Sequence, residues 1–225
     1  MIKIINEEND AALDDLIYIV FSATPYKMGR FIRLFTGGKY NHVSVSSDSE
    51  LTELYSFARR YRRAPFIGGF VKEHSERFSV NGKCTDIMIC AVPVSNMKKE
   101  LLMSRLAEMK REREKYIYNF FSAAAVPFHR KIRIKDAYTC VEFAVYMLDL
   151  AGWSFGGIGY VGIEDLKIQL ERFKMYEGKF PEGVQTDAYD DYECAVSFAE
   201  QSRSFFKEMN TLTSRKMRLW RKSEL

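Results

Sequence analysis

The clearest chemical pattern in the sequence is a cysteine at the predicted start of a helix. Thr139 and Glu142 stand three residues apart, just ahead of an apolar run, which is the spacing of a capping box. In that motif the threonine side chain accepts a hydrogen bond from the N–H of Glu142, and the glutamate accepts one from the N–H of Thr139. Cys140 then takes the first helical position, where unpaired N–H groups and the positive end of the helix dipole favour a thiolate. The same N–H groups could hold an oxyanion beside the sulfur.

Three histidines could serve this thiol as a base: His42, His74 and His129. His42 precedes Val43 and Val45, which alternate with polar residues as in a half-buried strand. His74 and His129 stand in polar or basic surroundings and are interpreted as surface residues. We therefore expect His42 to meet the cysteine. Two ordinary alternatives stay open, because the cysteine can be a small core residue and His42 can be satisfied by a backbone carbonyl.

A carboxylate completes the predicted set. If the strand of His42 turns back over two residues at 48–49, His42 lies opposite Tyr55 and diagonal to Glu53, within reach of long side chains. A register one residue different would place the two on opposite faces. Carboxylates are depleted in strands, and a buried one needs a partner. Cys140, His42 and Glu53 are therefore predicted to act as nucleophile, base and orienting residue in thiol catalysis.

Two basic runs are candidates for binding an acidic substrate or an anionic membrane surface. Residues 59–63 include four arginines and directly follow the Glu53 strand, in a stretch from 58 to 75 that is predicted to be a long loop. We predict that Arg59 and Arg60 border the groove and bind an acidic part of the substrate, with a solvated loop as the alternative. Residues 215–222 carry five positive charges, which suit a helix C-terminus or contact with an anionic membrane surface. No nucleic-acid partner is expected, and the oligomeric state is left open.

Apolar periodicity predicts both strands and helices. The predicted strands are 16–21, 43–45, 51–57, 86–94 and 175–180, and the run 16–21 is apolar enough to be covered on both faces. The predicted helices are 28–35, 97–118, a short element at 120–127, the cysteine helix from 140, an amphipathic helix through 166–173, and a C-terminal helix after 192. The cysteine helix is apolar nearly all round, so we expect it to be central and buried.

Composition limits the classes of protein to consider. The chain has 225 residues, of which 47% are hydrophobic, so it can bury a substantial core. No apolar stretch has transmembrane length, and the N-terminus lacks the pattern of a signal peptide, so a cytoplasmic protein is expected. The four cysteines lack C-x-x-C spacing and are expected to be free thiols rather than disulfides or zinc ligands. The glycines at 156–162 match no nucleotide-binding fingerprint, and neither a metal nor a cofactor is expected.

An ordered set of segments resembles a known family. The set comprises 15–17 (Asp-Leu-Ile), 30–36 (Arg-Phe-Ile-Arg-Leu-Phe-Thr), 40–45 (Tyr-Asn-His-Val-Ser-Val), Glu53 and 138–143 (Tyr-Thr-Cys-Val-Glu-Phe). It is similar to the circularly permuted branch of the NlpC-type, papain-like cysteine peptidases, in which the histidine strand precedes the cysteine helix. This branch includes bacterial hydrolases and, more distantly, the lecithin retinol acyltransferase group. The resemblance covers roughly residues 15–150, and Ser44 departs from the glycine often found two residues after the histidine.

The resemblance implies an α+β, papain-like domain in which an antiparallel half-barrel sheet packs against a central cysteine-bearing helix, with additional helices. We assign residues 1–186 to this domain and residues 187–225 to a helical C-terminal extension. The implied function is a thiol-dependent hydrolase, a peptidase or amidase acting on a small peptide, amide or acyl substrate such as a cell-wall-type peptide. An acyltransferase, a lipid or thioester hydrolase with the same site, and a non-catalytic binding module remain alternatives.

Overall fold

The fold is α+β, with one large mixed sheet covered by helices. The computed structural model describes residues 5–6, 13–24, 38–80, 83–155, 159–181, 192 and 194–223. Its strands are β1 (Ile5–Asn6), β2 (Asp15–Ser22), β3 (His42–Ser46), β4 (Leu54–Tyr61), β5 (Ala64–Lys72), β6 (Ser79–Val80), β7 (Lys83–Cys84), β8 (Asp86–Val94), β9 (Ile117–Tyr118), β10 (Ala137–Tyr138), β11 (Trp153–Ser154) and β12 (Lys174–Lys179). Its α-helices are α1 (Asn96–Arg111), α2 (Phe120–Ala125), α3 (Cys140–Leu150), α4 (Ile163–Leu170) and α5 (Phe198–Ser223).

Eight strands form the main sheet in the order β10-β9-β5-β4-β3-β2-β8-β12. All neighbours are antiparallel except β9 and β10, which are parallel. Strand β2 confirms the prediction of an apolar strand covered on both faces. Ile17, Ile19 and Phe21 belong to one core cluster, while Tyr18 and Val20 belong to a second cluster.

Helix α3 lies against the centre of the sheet, as its apolar surface predicted. Phe143, Ala144 and Met147 on the helix share a buried cluster with Val43 and Val45 of β3. Burial of each large side chain of this kind stabilises the fold by about 1.5–3 kcal/mol. The start of α3 is therefore held in a fixed place relative to the strand that carries His42.

The structure overturns the long loop predicted for residues 58–75. Strands β4 and β5 occupy most of this stretch and form a hairpin that turns after Tyr61. The glycines that suggested a loop lie inside β5. A Cβ on Gly69 would stand 2.3 Å from the carbonyl oxygen of Tyr116, so glycine at this position allows the chain leading into β9 to approach the sheet closely.

The turn between β3 and β4 is longer than predicted, and it changes the register. Val45 lies opposite Tyr55, whereas the predicted two-residue turn placed His42 there. The carboxylate of Asp48 accepts hydrogen bonds from the N–H groups of Thr52 and Glu53, at 3.0 Å each, and this closes a loop that spans 47–53. The register shift of three residues is odd, so it moves side chains to the opposite face from the one expected.

Other predicted elements differ in their ends or cannot be compared. Helix α1 ends at Arg111 rather than near 118, because a 3-10 turn and β9 follow it. The helix predicted at 28–35 lies outside the described residues.

Helix α5 packs on the sheet through Phe205, which contacts Phe66 of β5 with ring centroids 5.4 Å apart, and through the buried Leu212. Among the described helices, none combines the length and the apolar character that crossing a bilayer requires.

Candidate functional site

The start of α3 has the capping box that the sequence predicted. The N–H of Thr139 donates to Glu142 Oε2 at 2.7 Å, and the N–H of Glu142 donates to Thr139 Oγ1 at 3.2 Å. Cys140 is the first residue of the helix and is 7% exposed. Since no hydrogen bond is shown between its N–H and another described residue, this donor is available to an oxyanion beside the sulfur.

His42 contacts a glutamate that the sequence analysis did not single out. Its Nε2 lies 2.5 Å from Glu73 Oε1, as an N–H donor to a carboxylate. Glu73 directly follows β5, and its side chain is fully buried. Cys140 also interacts with the imidazole of His42 and helps to raise its pKa. Since Glu73 bonds Nε2, Nδ1 is the ring nitrogen that this carboxylate leaves open to the thiol.

The Glu73 carboxylate is held by several partners. Oε1 also accepts from the hydroxyls of Ser56 and, at 3.3 Å, Ser44. Oε2 forms an ion pair with Arg77 Nε at 2.9 Å, and the Arg77 side chain is only 7% exposed. A buried carboxylate with hydroxyl donors and a paired arginine is fixed in position and kept charged. Glu73 can therefore hold the imidazole of His42 in one orientation.

Charges around His42 and Glu73 shift both pKa values. Burial disfavours the imidazolium of His42, but the Glu73 carboxylate and the hydrogen bond with Cys140 outweigh burial and raise its pKa to about 10. Burial also disfavours the carboxylate of Glu73, but Arg77 and His42 outweigh it and lower its pKa to about 2. An imidazolium beside the sulfur is the partner that a catalytic thiolate needs.

The structure does not bring Glu53 to His42. Glu53 Oε1 instead pairs with Lys72 Nζ at 2.9 Å, and its Oε2 accepts from the Tyr55 hydroxyl at 3.1 Å. The reason is the β3–β4 register described above. Glu73 takes the predicted third position. It was missed because it follows a strand that was predicted to be a loop. A hairpin turning at 62–63 would by itself place 73 opposite 52; the bulge between Arg59 and Tyr61 shifts the pairing, so that the N–H of Glu73 donates to the carbonyl of Leu54.

The structure places the predicted anion-binding arginines, Arg59 and Arg60, outside the lining of the cavity at Cys140. Arg60 is 9% exposed, and its guanidinium donates to Glu114 Oε2 at 2.5 Å and to the carbonyl of Arg113 at 3.0 Å. Arg59 Nη2 lies 3.5 Å from the Tyr192 hydroxyl. Neither side chain lines the cavity at Cys140. Arg60 therefore ties β4 to the segment after α1 rather than bordering the site.

A cavity of about 420 Å³ opens onto Cys140. This volume is within the range of small-molecule sites. One part of its lining is apolar and comprises Val126, Val141, Val145, Phe155, Val161 and Ile163. Another part is basic and comprises Arg130, Lys131 and Arg133. A substrate can therefore reach the sulfur through a cavity of mixed character.

Tyr118 is a second candidate donor for an oxyanion. It lines the cavity and interacts electrostatically with Cys140. Burial, reinforced by electrostatic interactions with Cys140 and Glu142, raises the pKa of its phenol, so the hydroxyl keeps its proton at neutral pH. The sequence offered no spacing rule that connects a tyrosine at 118 to a cysteine at 140, because the two meet only through the parallel pairing of β9 and β10.

The remaining cysteines differ from Cys140 in their surroundings. Cys90 is buried in β8, and burial raises its pKa to about 12. Cys84 is half-buried and Cys194 is exposed, and both are free thiols.

In the described part of the chain, no group of three or more histidine, cysteine and acidic side chains is arranged to hold a metal ion. Comparison with protein-family models, with curated proteins and with solved structures finds no match to this chain.

Proposed function

We propose that the protein is a thiol-dependent hydrolase, a peptidase or amidase, in which Cys140 attacks the carbonyl carbon of an amide, ester or thioester. The observation that supports this most is the set of Cys140, His42 and Glu73, in which Cys140 starts a helix and lines a cavity. The same residue types in the same roles occur in thiol catalysis generally, and their order along the chain agrees with the permuted papain-like resemblance. Glu73 replaces Glu53 as the orienting residue.

The proposed reaction has two steps. The Cys140 thiolate forms a C–S bond to the carbonyl carbon, and the carbonyl π electrons move to oxygen, where the Cys140 N–H and the Tyr118 hydroxyl donate. As the C–N or C–O bond breaks, the His42 imidazolium gives its proton to the leaving group. In the second step His42 takes a proton from the attacking water as its oxygen bonds to the acyl carbon. The C–S bond then breaks, which releases the carboxylic acid and returns Cys140 as the thiolate beside the imidazolium. Glu73 keeps the imidazole in the orientation that both steps need.

Selective alkylation of the thiol tests the proposal before any substrate is known. A thiolate paired with an imidazolium reacts near neutral pH, whereas an ordinary thiol with a pKa of about 8.5 is mostly protonated there. With limiting iodoacetamide at about pH 6.5, folded protein should be labelled at Cys140 ahead of Cys84 and Cys194, as read by peptide mass mapping. His42→Ala should slow this labelling. His129→Ala, at an exposed histidine, is the matched control and should not change it.

Labelling of Cys84 or Cys194 ahead of Cys140 would contradict the reactive-thiol proposal and favour a binding module with a shielded cysteine. Equal labelling rates of Cys140 in His42→Ala and His129→Ala would contradict the proposal in the same way.

An acyltransferase is the second catalytic candidate, because the same residues could pass the acyl group to an acceptor other than water. Intact mass after exposure to 4-nitrophenyl acetate separates the two: a short-lived acyl-enzyme supports the hydrolase, and a long-lived one supports the transferase.

A further inference from the structure

The basic part of the cavity lining differs in its partners from three basic residues of the β4–β5 hairpin. Arg60, Arg62 and Lys72 each form an ion pair with a glutamate. In contrast, the side chains of Arg130, Lys131 and Arg133 make no hydrogen bond or ion pair with another residue in the described ranges, although all three line the cavity. Three neighbouring cations without partners create a positive potential at that wall.

The acidic residues of the same lining do not neutralise these cations. Glu142 accepts from the N–H of Thr139 and from Ser122 Oγ at 2.7 Å, so its carboxylate is already bonded inside the protein. Asp149 is exposed and has an interaction partner of its own. The positive charge of the segment is therefore available to a ligand.

The segment that carries the cations is fixed relative to the nucleophile. The backbone N–H of Ile132 donates to Ser122 Oγ at 2.8 Å, and its carbonyl accepts from Asn119 Nδ2 at 2.8 Å. Ser122 Oγ also bonds Glu142, the residue that closes the capping box at Cys140. One hydrogen-bonded network thus connects the basic segment to the start of α3. Cations at a set distance from a nucleophile select substrates by where their charge lies.

We propose that the substrate of Cys140 carries an anionic group, a carboxylate or a phosphate, which Arg130, Lys131 and Arg133 bind while the apolar lining holds the hydrocarbon between that group and the reacting carbonyl. This inference rests on the proposed function and names its substrate class. Guanidinium and ammonium groups are the usual protein ligands of both anions. The basic segment, rather than Arg59 and Arg60, is the anion-binding part of the site.

Matched alkylating probes test the inference without a known substrate. N-(Iodoacetyl)-β-alanine carries a carboxylate away from its reacting carbon, and its primary amide is the neutral match. N-(Iodoacetyl)-phosphoethanolamine and N-(2-hydroxyethyl)iodoacetamide form the corresponding phosphate pair. In each case the Cys140 thiolate forms a C–S bond to the CH₂ carbon as the C–I bond breaks and iodide leaves. The rate of Cys140 alkylation is measured by peptide mass mapping on full-length protein.

We expect the anionic member of at least one pair to react about fivefold faster than its neutral match at low salt, the size of a few partly exposed charge interactions. The ratio should fall toward one as sodium chloride is added. Arg130→Gln/Lys131→Gln should reduce this ratio toward one, because any effect of the lost charges on the thiol itself is common to both probes and cancels in the ratio. Lys110→Gln/Arg111→Gln on α1 removes one lysine and one arginine at exposed positions outside the cavity lining and should have no effect.

The outcomes separate the inference from the proposed function. A preference for the carboxylate pair or for the phosphate pair supports the inference and identifies the anion. Equal rates for charged and neutral probes, or equal effects of the two double variants, overturn it while the reactive thiol stands. If the neutral probes label Cys84 or Cys194 ahead of Cys140, the proposed function fails, and the substrate class fails with it.

Discussion

Replacing each of two glutamates by glutamine would show which carboxylate orients His42. Glu73 bonds the imidazole at 2.5 Å, whereas Glu53 pairs with Lys72 at 2.9 Å. Glu73→Gln keeps the size of the side chain and removes its charge. Glu53→Gln makes the same chemical change at a carboxylate that does not touch the histidine. The two variants therefore make the same chemical change, one at a fully buried carboxylate beside His42 and one at a partly exposed carboxylate beside Lys72.

The expected effect of Glu73→Gln follows from the contacts of the carboxylate. The charge of Glu73 is the largest cause that raises the pKa of His42, and its hydrogen bond adds about 1.5–3 kcal/mol, or about 1–2 pKa units, to that effect. Burial by itself lowers the pKa of His42, and the Glu73 carboxylate is the main group that opposes this effect. When the carboxylate is removed, the pKa of His42 should therefore fall from about 10 toward or below its ordinary value of 6.5. The imidazolium form of His42, the partner that the proposed mechanism requires beside the sulfur, is then less populated at pH 6.5.

The stability of the variant needs its own measurement, since Glu73→Gln leaves the buried Arg77 without its counter-charge. Breaking a buried ion pair on one side destabilises a fold by about 3–5 kcal/mol. Glu73→Gln/Arg77→Met removes both charges and should recover part of this loss. Urea unfolding of the single and double variants measures it, and alkylation is compared only where the protein is folded.

The assay is the rate of Cys140 alkylation by iodoacetamide as a function of pH. We expect Glu73→Gln and the double variant to lower the rate at pH 6.5 by at least about tenfold, and Glu53→Gln to change it by less than about twofold. The pH dependence should also shift only when Glu73 is replaced. A folded Glu73→Gln protein with an unchanged rate, or a Glu53→Gln protein with an equal loss, would refute the assignment of Glu73.

Three further predictions follow from other parts of the site. Tyr118→Phe should lower turnover of an activated ester by about 10- to 100-fold if the hydroxyl donates to the oxyanion, while the alkylation rate of Cys140 stays unchanged because alkylation forms no oxyanion; equal alkylation and equal turnover would remove Tyr118 from the mechanism. Thr139→Ala should lower the free energy of unfolding by about 1 kcal/mol through loss of the capping box, measured by urea denaturation, with Thr139→Ser as the control that keeps the hydroxyl. The pKa of Glu73 is lowered from 4.5 to about 2, so its contribution to stability is present above pH 4.5 and is lost as the pH falls toward 2; acid titration followed by circular dichroism should show this loss in the native protein and a smaller one in Glu73→Gln/Arg77→Met, and identical curves would argue against a charged Glu73.

The sequence by itself determined the features that depend on near neighbours. The capping box joins Thr139 and Glu142 across three positions, so the local pattern is enough to place Cys140 at the start of a helix. Alternation around Val43 and Val45 likewise identified the strand of His42, and the continuous apolar run at 16–21 identified a strand buried on both faces.

Only the tertiary structure decided which residues complete the site. The register of β3 on β4 depends on the loop closed by Asp48, and a shift of three residues exchanges Glu53 for Glu73 beside His42. Pairing across the sheet brings Tyr118 near Cys140 and buries Arg60. These contacts join residues that are far apart in the chain. For two such strands, many pairing registers satisfy the same apolar pattern. The physical reason is that alternation of apolar and polar residues specifies which face of a strand is buried, whereas packing and the pairing of buried charges select which residue of another strand lies beside it.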